Sequence, residues 1–450
     1  MKKIFAIILP IVFVSSCLVG PKYSRPQLDS LATWNETCDY VDTIDTIINL
    51  KWFELFKDTT LNKLIETALK ENHDLKNAAL RIEQARASYG IAKSYMLPSF
   101  DYNASASINS HTSENFEILG TASWEIDFWG KIRHLKRARY NELLASEEGI
   151  KTITTTLISD VASFYFRLRD LDHQLLIADS TVLTRTEYFN LVNERFKGGH
   201  VAELDKLQAE QQLYIAKATV QSIKRELNYT ERSLNILLGQ IPQQIARGMK
   251  NEDQTEMPDI PVGLPSDILY NRPDVKQAEF YLIAETEQIG VAQAMRFPSF
   301  SLTGFFGLGN SDISLLTSKE SIIANASANI LGPIFAWGRN KKRVDVQRKQ
   351  AEIAANNYIK TYIAALGEVE NSLISVQTYG LEFEARQKQA EAASKALMLS
   401  QERYKGGYTD YLEVLIAENA MFDSKLLASS TKAQQLIAYI NLYRALGGGW

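Results

Sequence analysis

Few residues of this chain are spaced for bond-making chemistry. Its five histidines form no His-Glu-x-x-His pair, and neither a Gly-x-Ser-x-Gly elbow nor a phosphate-cradling Gly-x4-Gly-Lys-Ser/Thr loop occurs. Carboxylates are plentiful, but pairs such as Glu368 and Glu370 sit in helix-patterned, polar segments and read as solvated faces rather than an acid/base couple. Two cysteines, Cys17 and Cys38, are too few for a disulfide framework and belong to no Cys/His cluster of metal-ligand spacing. Among the many carboxylates, Asp410 and Glu413 follow a Gly406-Gly407 break, and their spacing alone does not set them apart. In a symmetric assembly such acids would form rings that favour cations at a water-filled constriction. Either acid equally fits an ordinary solvated helix.

The cysteines are read by position. Lys2 and Lys3 precede the apolar run IFAIILPIVFV, which stops at Ser15-Ser16-Cys17. That is the layout of a secretory signal over residues 1–16, with a core too short to span a bilayer as a mature helix. Val14 to Cys17 resembles a bacterial lipobox with Val where Leu is usual. The resemblance implies that Cys17 becomes the first mature residue and carries a covalent N-terminal lipid, palmitate included. Leu18 rather than Asp follows, which in such lipoproteins fits passage to the outer membrane. The plainer alternative is an exported protein with an incidental cysteine, and Cys38 reads as an incidental thiol. The net charge of -4 argues against a nonspecific nucleic-acid binder.

The elements that would position these residues recur in order. Residues 17–57 read as an extended leader, and a helix is expected from about Asp58 to Lys93, ended by Pro98. Alternation of Phe100, Tyr102, Ala104, Ala106 and Ile108 with polar residues predicts a strand. A loop at HTSEN and a second alternating run, Ala122, Trp124, Ile126 and Phe128, complete a hairpin at about 98–130. A nearly Gly-free and Pro-free helix from Lys131 to Arg195 would reach about 100 Å, which calls for a coiled-coil or tubular partner. A turn at 195–200 and a helix from Val201 to Leu238 close the first repeat, 58–240; residues 241–265 read as a linker. The second repeat, 266–450, has the same plan, with a hairpin at about 298–336, a long helix from Asn340 to Tyr404 and a turn at 403–408.

Sequence identity between the halves supports a tandem duplication. IAKSYMLPSF from Ile91 returns as VAQAMRFPSF from Val291, 200 positions on. Trp129-Gly130-Lys131 maps on Trp337-Gly338-Arg339, and RFKGGHVAELDKLQAE from Arg195 on RYKGGYTDYLEVLIAE from Arg403, both 208 positions on. The change of offset places an insertion in the second strand connection, around Asn310 to Ser321, where a surface loop tolerates growth. Strands with one apolar and one polar face suit a barrel wall or a soluble sandwich. In a bilayer, four strands would leave edges unpaired, so several chains would have to close one barrel. The helices carry a moderately apolar stripe that suits side-by-side packing, in a tube or in a filamentous bundle. A lipid-anchored periplasmic structural or adaptor protein with coiled-coil helices therefore stands as the alternative.

The mature chain resembles outer-membrane efflux proteins of the TolC kind, in the lipoprotein subfamily that serves tripartite multidrug or metal pumps. The residues that carry this are CLVGPKYSRP from Cys17, WFELFKD from Trp52, LIETALKENHDL from Leu64, the Pro-Ser-Phe strand starts, DFWGK from Asp127, GPIFAWGR from Gly332, the two Gly-Gly turns and LYRALGGGW at the C-terminus. The resemblance implies a mixed α/β membrane protein, a homotrimer with a 12-stranded β-barrel built four strands per chain and continued by a long periplasmic α-helical barrel. It implies an outer-membrane location in contact with lipid, a periplasmic adaptor and an inner-membrane pump as partners, and neither an enzymatic activity nor a cofactor beyond the lipid. Arg195, Gly198, Gly199 and Leu204, with Arg403, Gly406, Gly407 and Leu412, match the tips where the adaptor docks. Leu204, Leu207, Leu412 and Leu415 are expected to anchor those turns by packing. Glu413 matches a gating acid of some members, whereas Ile416 stands where others carry Asp, so Asp410 is the candidate for the second periplasmic gate charge. Trp124, Trp129 and Trp337 are candidate membrane-interface aromatics.

Overall fold

The computed structural model describes residues 18–26, 58–109, 112–254 and 266–448. The expected signal, Cys17 with its lipid, Cys38 and the end of the linker lie outside the described residues. The chain divides into two compact units: one holds residues 18–26, 78–149 and 273–362, the other residues 150–272 and 363–448 with the helix that precedes residue 78.

The first unit contains an antiparallel four-stranded sheet, β1 (Ser99–Asn109), β2 (Thr112–Ile126), β3 (Ser299–Asn310) and β4 (Ile322–Leu331), in that spatial order. The hairpins of the two repeats join through β2 and β3, with Trp124 opposite Leu302 and Ile126 opposite Phe300. This leaves β1 and β4 with a neighbour on one side only. β2 starts earlier than the alternation indicates. HTSEN is largely strand from Thr112 on, because Asn109 pairs with Thr112 after a register shift near Ser107. Pairing extends the strand through residues 112–115, polar on both faces, and a period-two hydrophobic signal does not register that stretch. At Gly307 the backbones approach so closely that a Cβ would lie 2.0 Å from the Ile118 carbonyl oxygen. The inserted residues of the second hairpin form two 3-10 turns, Ile313–Leu315 and Lys319–Ser321. They are pinned by the Asp312 carboxylate, which accepts from Ser314 N at 2.8 Å, and by Ser321 Oγ, which donates to Leu315 O at 2.7 Å.

The same unit receives α2 (His73–Ser94) from Ala78 on, α5 (Pro273–Ala294) and the first parts of α3 (Lys131–Lys197) and α6 (Arg339–Lys405). Residues 18–26 of the leader run along it. Val19 N donates to Trp129 O at 3.3 Å, and Arg25 grips Glu279 through two bonds of 2.7 and 2.8 Å. Tyr23 Oη donates to the same carboxylate at 2.8 Å. His134, 2% exposed, contacts Glu287 at 2.5 Å.

The second unit packs α1 (Thr59–Glu71), the remainder of α3 and α6, α4 (Glu203–Leu237) and α7 (Tyr411–Ala445). Leu61 and Ile65 of α1, Val161 and Phe166 of α3, Leu234 of α4 and Ile440 of α7 share one core. The helix expected over 58–93 is two helices. Asn72, with ψ 129, ends α1, and its side-chain oxygen accepts from Leu75 N at 2.9 Å to start α2, a preferred capping role for Asn. Asp58 caps α1 through Thr60 N at 2.8 Å and also accepts from Tyr165 Oη at 2.6 Å and Met249 N at 2.8 Å. Burial alone would raise this carboxyl, but the bonds from Tyr165, Thr60, Met249 and Leu61 hold it below its ordinary range. The first part of the segment read as a linker is thus tied down, with Ile245 in the core and Arg247 bonded to Glu231 at 2.7 Å.

Candidate functional site: the two helical tips

α3 and α6, 67 residues each, end in the same motif. In the second tip, Gly407 N donates to Tyr404 O at 3.1 Å and Tyr408 N to Arg403 O at 2.9 Å. In the first, Gly199 N donates to Phe196 O and His200 N to Arg195 O, both at 2.9 Å. These are the paired bonds of a Schellman C-cap. It needs a left-handed residue, and Gly199 and Gly407 have φ of 76° and 77°.

The helices that leave the tips start differently. Asp410 is the N-cap of α7 and accepts from Glu413 N at 3.4 Å. Thr409 Oγ1 donates to the Glu413 carboxylate, and Arg403 lies 3.6 Å from it. Ala202, the first-tip counterpart of Asp410, caps α4 without a side-chain bond. The structure therefore brings Asp410, Glu413 and Arg403 together in one turn and gives both acids a local role in starting α7.

Packing at the tips corrects one expectation. Leu204, Leu207 and Leu412 are exposed, and of the four leucines only Leu415 packs on the core. The buried stripe of α7 runs through Tyr411, Val414, Glu418 and Phe422, which turns Leu412 outward. The inner stripe of α4 starts only at Ala209. The side chains that do hold the tips are Tyr188, Tyr404 and Tyr411, with Tyr188 stacked on Tyr411 at 5.6 Å and Tyr404 5.9 Å from Tyr411. Arg195 of the first tip lies over the Tyr404 ring at 5.0 Å, a cation–π contact between the tips. Burial, with Tyr404 and Glu418 nearby, pushes the Tyr188 phenol up to about 12.

One turn farther from the tips, Arg185 of α3 reaches Glu418 of α7 at 3.3 Å, Gln212 O at 2.8 Å and Asn419 Oδ1 at 2.8 Å. Burial raises the Glu418 carboxyl and Arg185 opposes the rise. Neither the tyrosine cluster nor this pair was among the sequence-derived site residues. The available signal was Glu418 as the last residue of the second Gly-Gly frame, aligned with Glu210 of the first.

The tryptophans lie beside the strand ends. Trp124 Nε1 donates to Met96 O at 3.1 Å, and Trp129 Nε1 to Pro298 O at 2.8 Å while stacking on Phe297 at 4.5 Å. Trp337 is exposed, with φ 50°, and meets Phe335 edge-on at 4.7 Å.

The chain matches the family model for outer membrane efflux proteins over residues 64–240 and 264–448. It is 30% identical over 444 residues to the cation efflux system protein CusC of Escherichia coli O6:H1, which covers 97% of this chain and 96% of that protein. It is 30% identical to the solvent efflux pump outer membrane protein SrpC of Pseudomonas putida, with 98% and 97% of the two chains covered. A solved CusC structure superposes with a TM-score of 0.87 at 28% identity over 96% of this chain and 100% of that one. The open-state MtrE outer membrane channel of Neisseria gonorrhoeae also gives 0.87, at 29% identity over 96% and 98%. With both repeats matched, and its sheet and long helices superposing on these channels, the chain belongs to the outer membrane efflux protein family.

Proposed function

We propose that three copies of this chain close a 12-stranded outer-membrane barrel, continued by a periplasmic barrel of helices, and passively conduct cargo delivered by an inner-membrane pump through a periplasmic adaptor. The observation that carries this reading is the four-stranded sheet whose outer strands β1 and β4 pair on one side only. Hydrocarbon offers no water to bare N–H and C=O groups, so strands that span it must find partners on other chains. Four strands by themselves enclose no channel. The number three follows from the family resemblance. No helix among the described residues is long and apolar enough to cross a membrane, and the strands carry the alternation a barrel wall needs.

A lipid on Cys17 would anchor each chain, and the leader favours this: Leu18 contacts the Gly130 position and Val19 bonds Trp129, beside the strand ends. The tips, with Arg195, Gly198, Gly199 and Leu204 and with Arg403, Gly406, Gly407 and Leu412, form the adaptor-docking mouth. The exposed Leu204 and Leu412 supply apolar surface for it. Asp410 and Glu413 form the gate charges of the second tip. Relatives are named for cations, solvents and antibiotics, so we assign cargo choice to the pump and adaptor.

The test is planar-bilayer recording of the purified full-length oligomer, with its mass measured in parallel. Discrete conductance steps from a trimer are expected. A monomer that gives no steps and leaves its strands open to protease would overturn the reading in favour of a lipid-anchored structural protein.

A further inference from the structure

We propose that the junction between β4 and α6 is a docking surface for anionic glycerophospholipids of the periplasm-facing leaflet, centred on Arg339 and Arg343; this surface presupposes the outer-membrane channel above. Beyond Leu331 the chain presents Ile334, Phe335 and Trp337, with Ile334 102% and Trp337 89% exposed. A contiguous apolar patch of this kind marks a membrane or partner contact. The sequence then turns basic at once, with Arg339, Lys341, Lys342 and Arg343 within five positions.

Arg339 and Arg343 are four residues apart, hence on one face of α6. Both line a cavity of about 410 Å³ that has Phe297, Pro298, Leu331 and Pro333 on its apolar side and also receives Glu125, Asp127 and Lys131 of the first repeat. The first repeat shows what is unusual here. There the junction cations Lys131 and Arg133 are neutralised by Glu125 at 2.6 Å and Asp127 at 3.0 Å. In the second repeat the positions of those two acids are occupied by Pro333 and Phe335, the two cations persist as Arg339 and Lys341, and Lys342 and Arg343 are added where the first has His134 and Leu135. Among the described residues no carboxylate pairs with Arg339, Lys341 or Arg343, and Lys342 reaches Asp345 only at 3.9 Å.

Like charges at this spacing repel; the second repeat supplies no acid of its own at these positions, and the two carboxylates of the first repeat that line the cavity are already paired with Lys131 and Arg133. The complementary occupant is a phosphodiester. Its oxygens match the planar guanidinium forks, its glycerol and proximal acyl carbons cover the apolar floor, and Trp337 lies at headgroup level. A bilayer leaflet supplies that phosphate together with apolar chains, whereas free phosphate would leave the apolar patch wet.

The experiment is native mass spectrometry of the full-length oligomer released from nanodiscs of equal phosphatidylglycerol and phosphatidylethanolamine. Wild-type protein should retain phosphatidylglycerol in excess. Arg339→Gln/Arg343→Gln should weaken that preference roughly thirtyfold, from about 1 kcal/mol per basic residue near the surface, and Arg339→Lys/Arg343→Lys should keep most of it. Equal retention of the two lipids by wild type, an unchanged preference in the Gln variant, or displacement by millimolar inorganic phosphate would each overturn the proposal. So would a Gln variant that loses oligomer mass while its lipid preference is unchanged, since that assigns the patch to a neighbouring copy. Conductance of the same preparation separates the two readings: a conducting oligomer without lipid preference removes only this surface, and a non-conducting monomer removes the channel.

Discussion

Arg185 and Glu418, 233 positions apart, meet at 3.3 Å with 2% and 3% of their side chains exposed. The pair joins α3 of the first repeat to α7 of the second, just inside the tips. A buried ion pair adds little net stability over a well-packed apolar pair, but removing one partner strands the other charge in a dry site. Glu418→Ala should therefore destabilise the detergent-solubilised protein by about 3–5 kcal/mol, and Arg185→Met/Glu418→Leu should come close to wild type. Denaturant titration followed by tryptophan fluorescence checks this. A Glu418→Ala loss no greater than that of the double variant would show that the pair is not a clamp.

Acid should loosen the second unit through Asp58. Its folded carboxyl sits below its ordinary range, so folding releases a proton and the stabilisation is present above the unfolded value near pH 4, then lost as pH falls through the folded value. Asp58→Asn should flatten the acid limb of stability below about pH 4. At neutral pH it should cost about 1–3 kcal/mol, because the side-chain amide cannot accept all the bonds now made by Tyr165, Thr60 and Met249. The measurement is denaturation midpoint against pH; parallel acid limbs for variant and wild type would contradict it.

What the sequence made legible is what the duplication wrote twice. Pro98 and Pro298 precede the strand starts, and Gly199 and Gly407 supply left-handed φ at the ends of two 67-residue helices. Each is a local backbone requirement that one or two residue types satisfy, so periodicity and offset expose it. Long-range choices are not written this way. The rotation of α7 that buries Tyr411 and Glu418 and turns Leu412 outward depends on what packs beside it, and a Leu-x-x-Leu row is compatible with either face. The pairing of Arg185 with Glu418 needs the two repeats brought side by side. Likewise, β2 extends through polar residues because β1 offers them hydrogen bonds, which no hydrophobic pattern reports.

Two glycines separate backbone cost from steric cost. At Gly407 a Cβ would meet nothing within 4 Å, so Gly407→Ala carries only the left-handed penalty, about 1–2 kcal/mol; Gly199→Ala should match it. At Gly307 the added carbon would strike the Ile118 carbonyl, which requires β2 and β3 to part. Gly307→Ala should sharply reduce the yield of heat-resistant oligomer on gels, whereas both tip variants should assemble. Equal yields from all three would refute this distinction.

The tip acids pose the last test, because their charge and their capping are separable. Asp410 caps α7 through Glu413 N, and Asn caps about as well as Asp while carrying no charge. Asp410→Asn/Glu413→Gln should therefore leave the tip folded and still change the channel, lowering cation preference if the acids ring the constriction. Asp410→Ala removes charge and cap together and should cost about 1 kcal/mol of helix stability besides. Freed from Glu413, Arg403, which now lies 3.6 Å from that carboxylate, should shift the mouth further toward anions. Reversal potentials under a salt gradient give the selectivity and denaturation gives the cap. If the Asn/Gln variant conducts with wild-type currents and selectivity, the acids serve only to start α7, and the constriction must draw its charge from elsewhere.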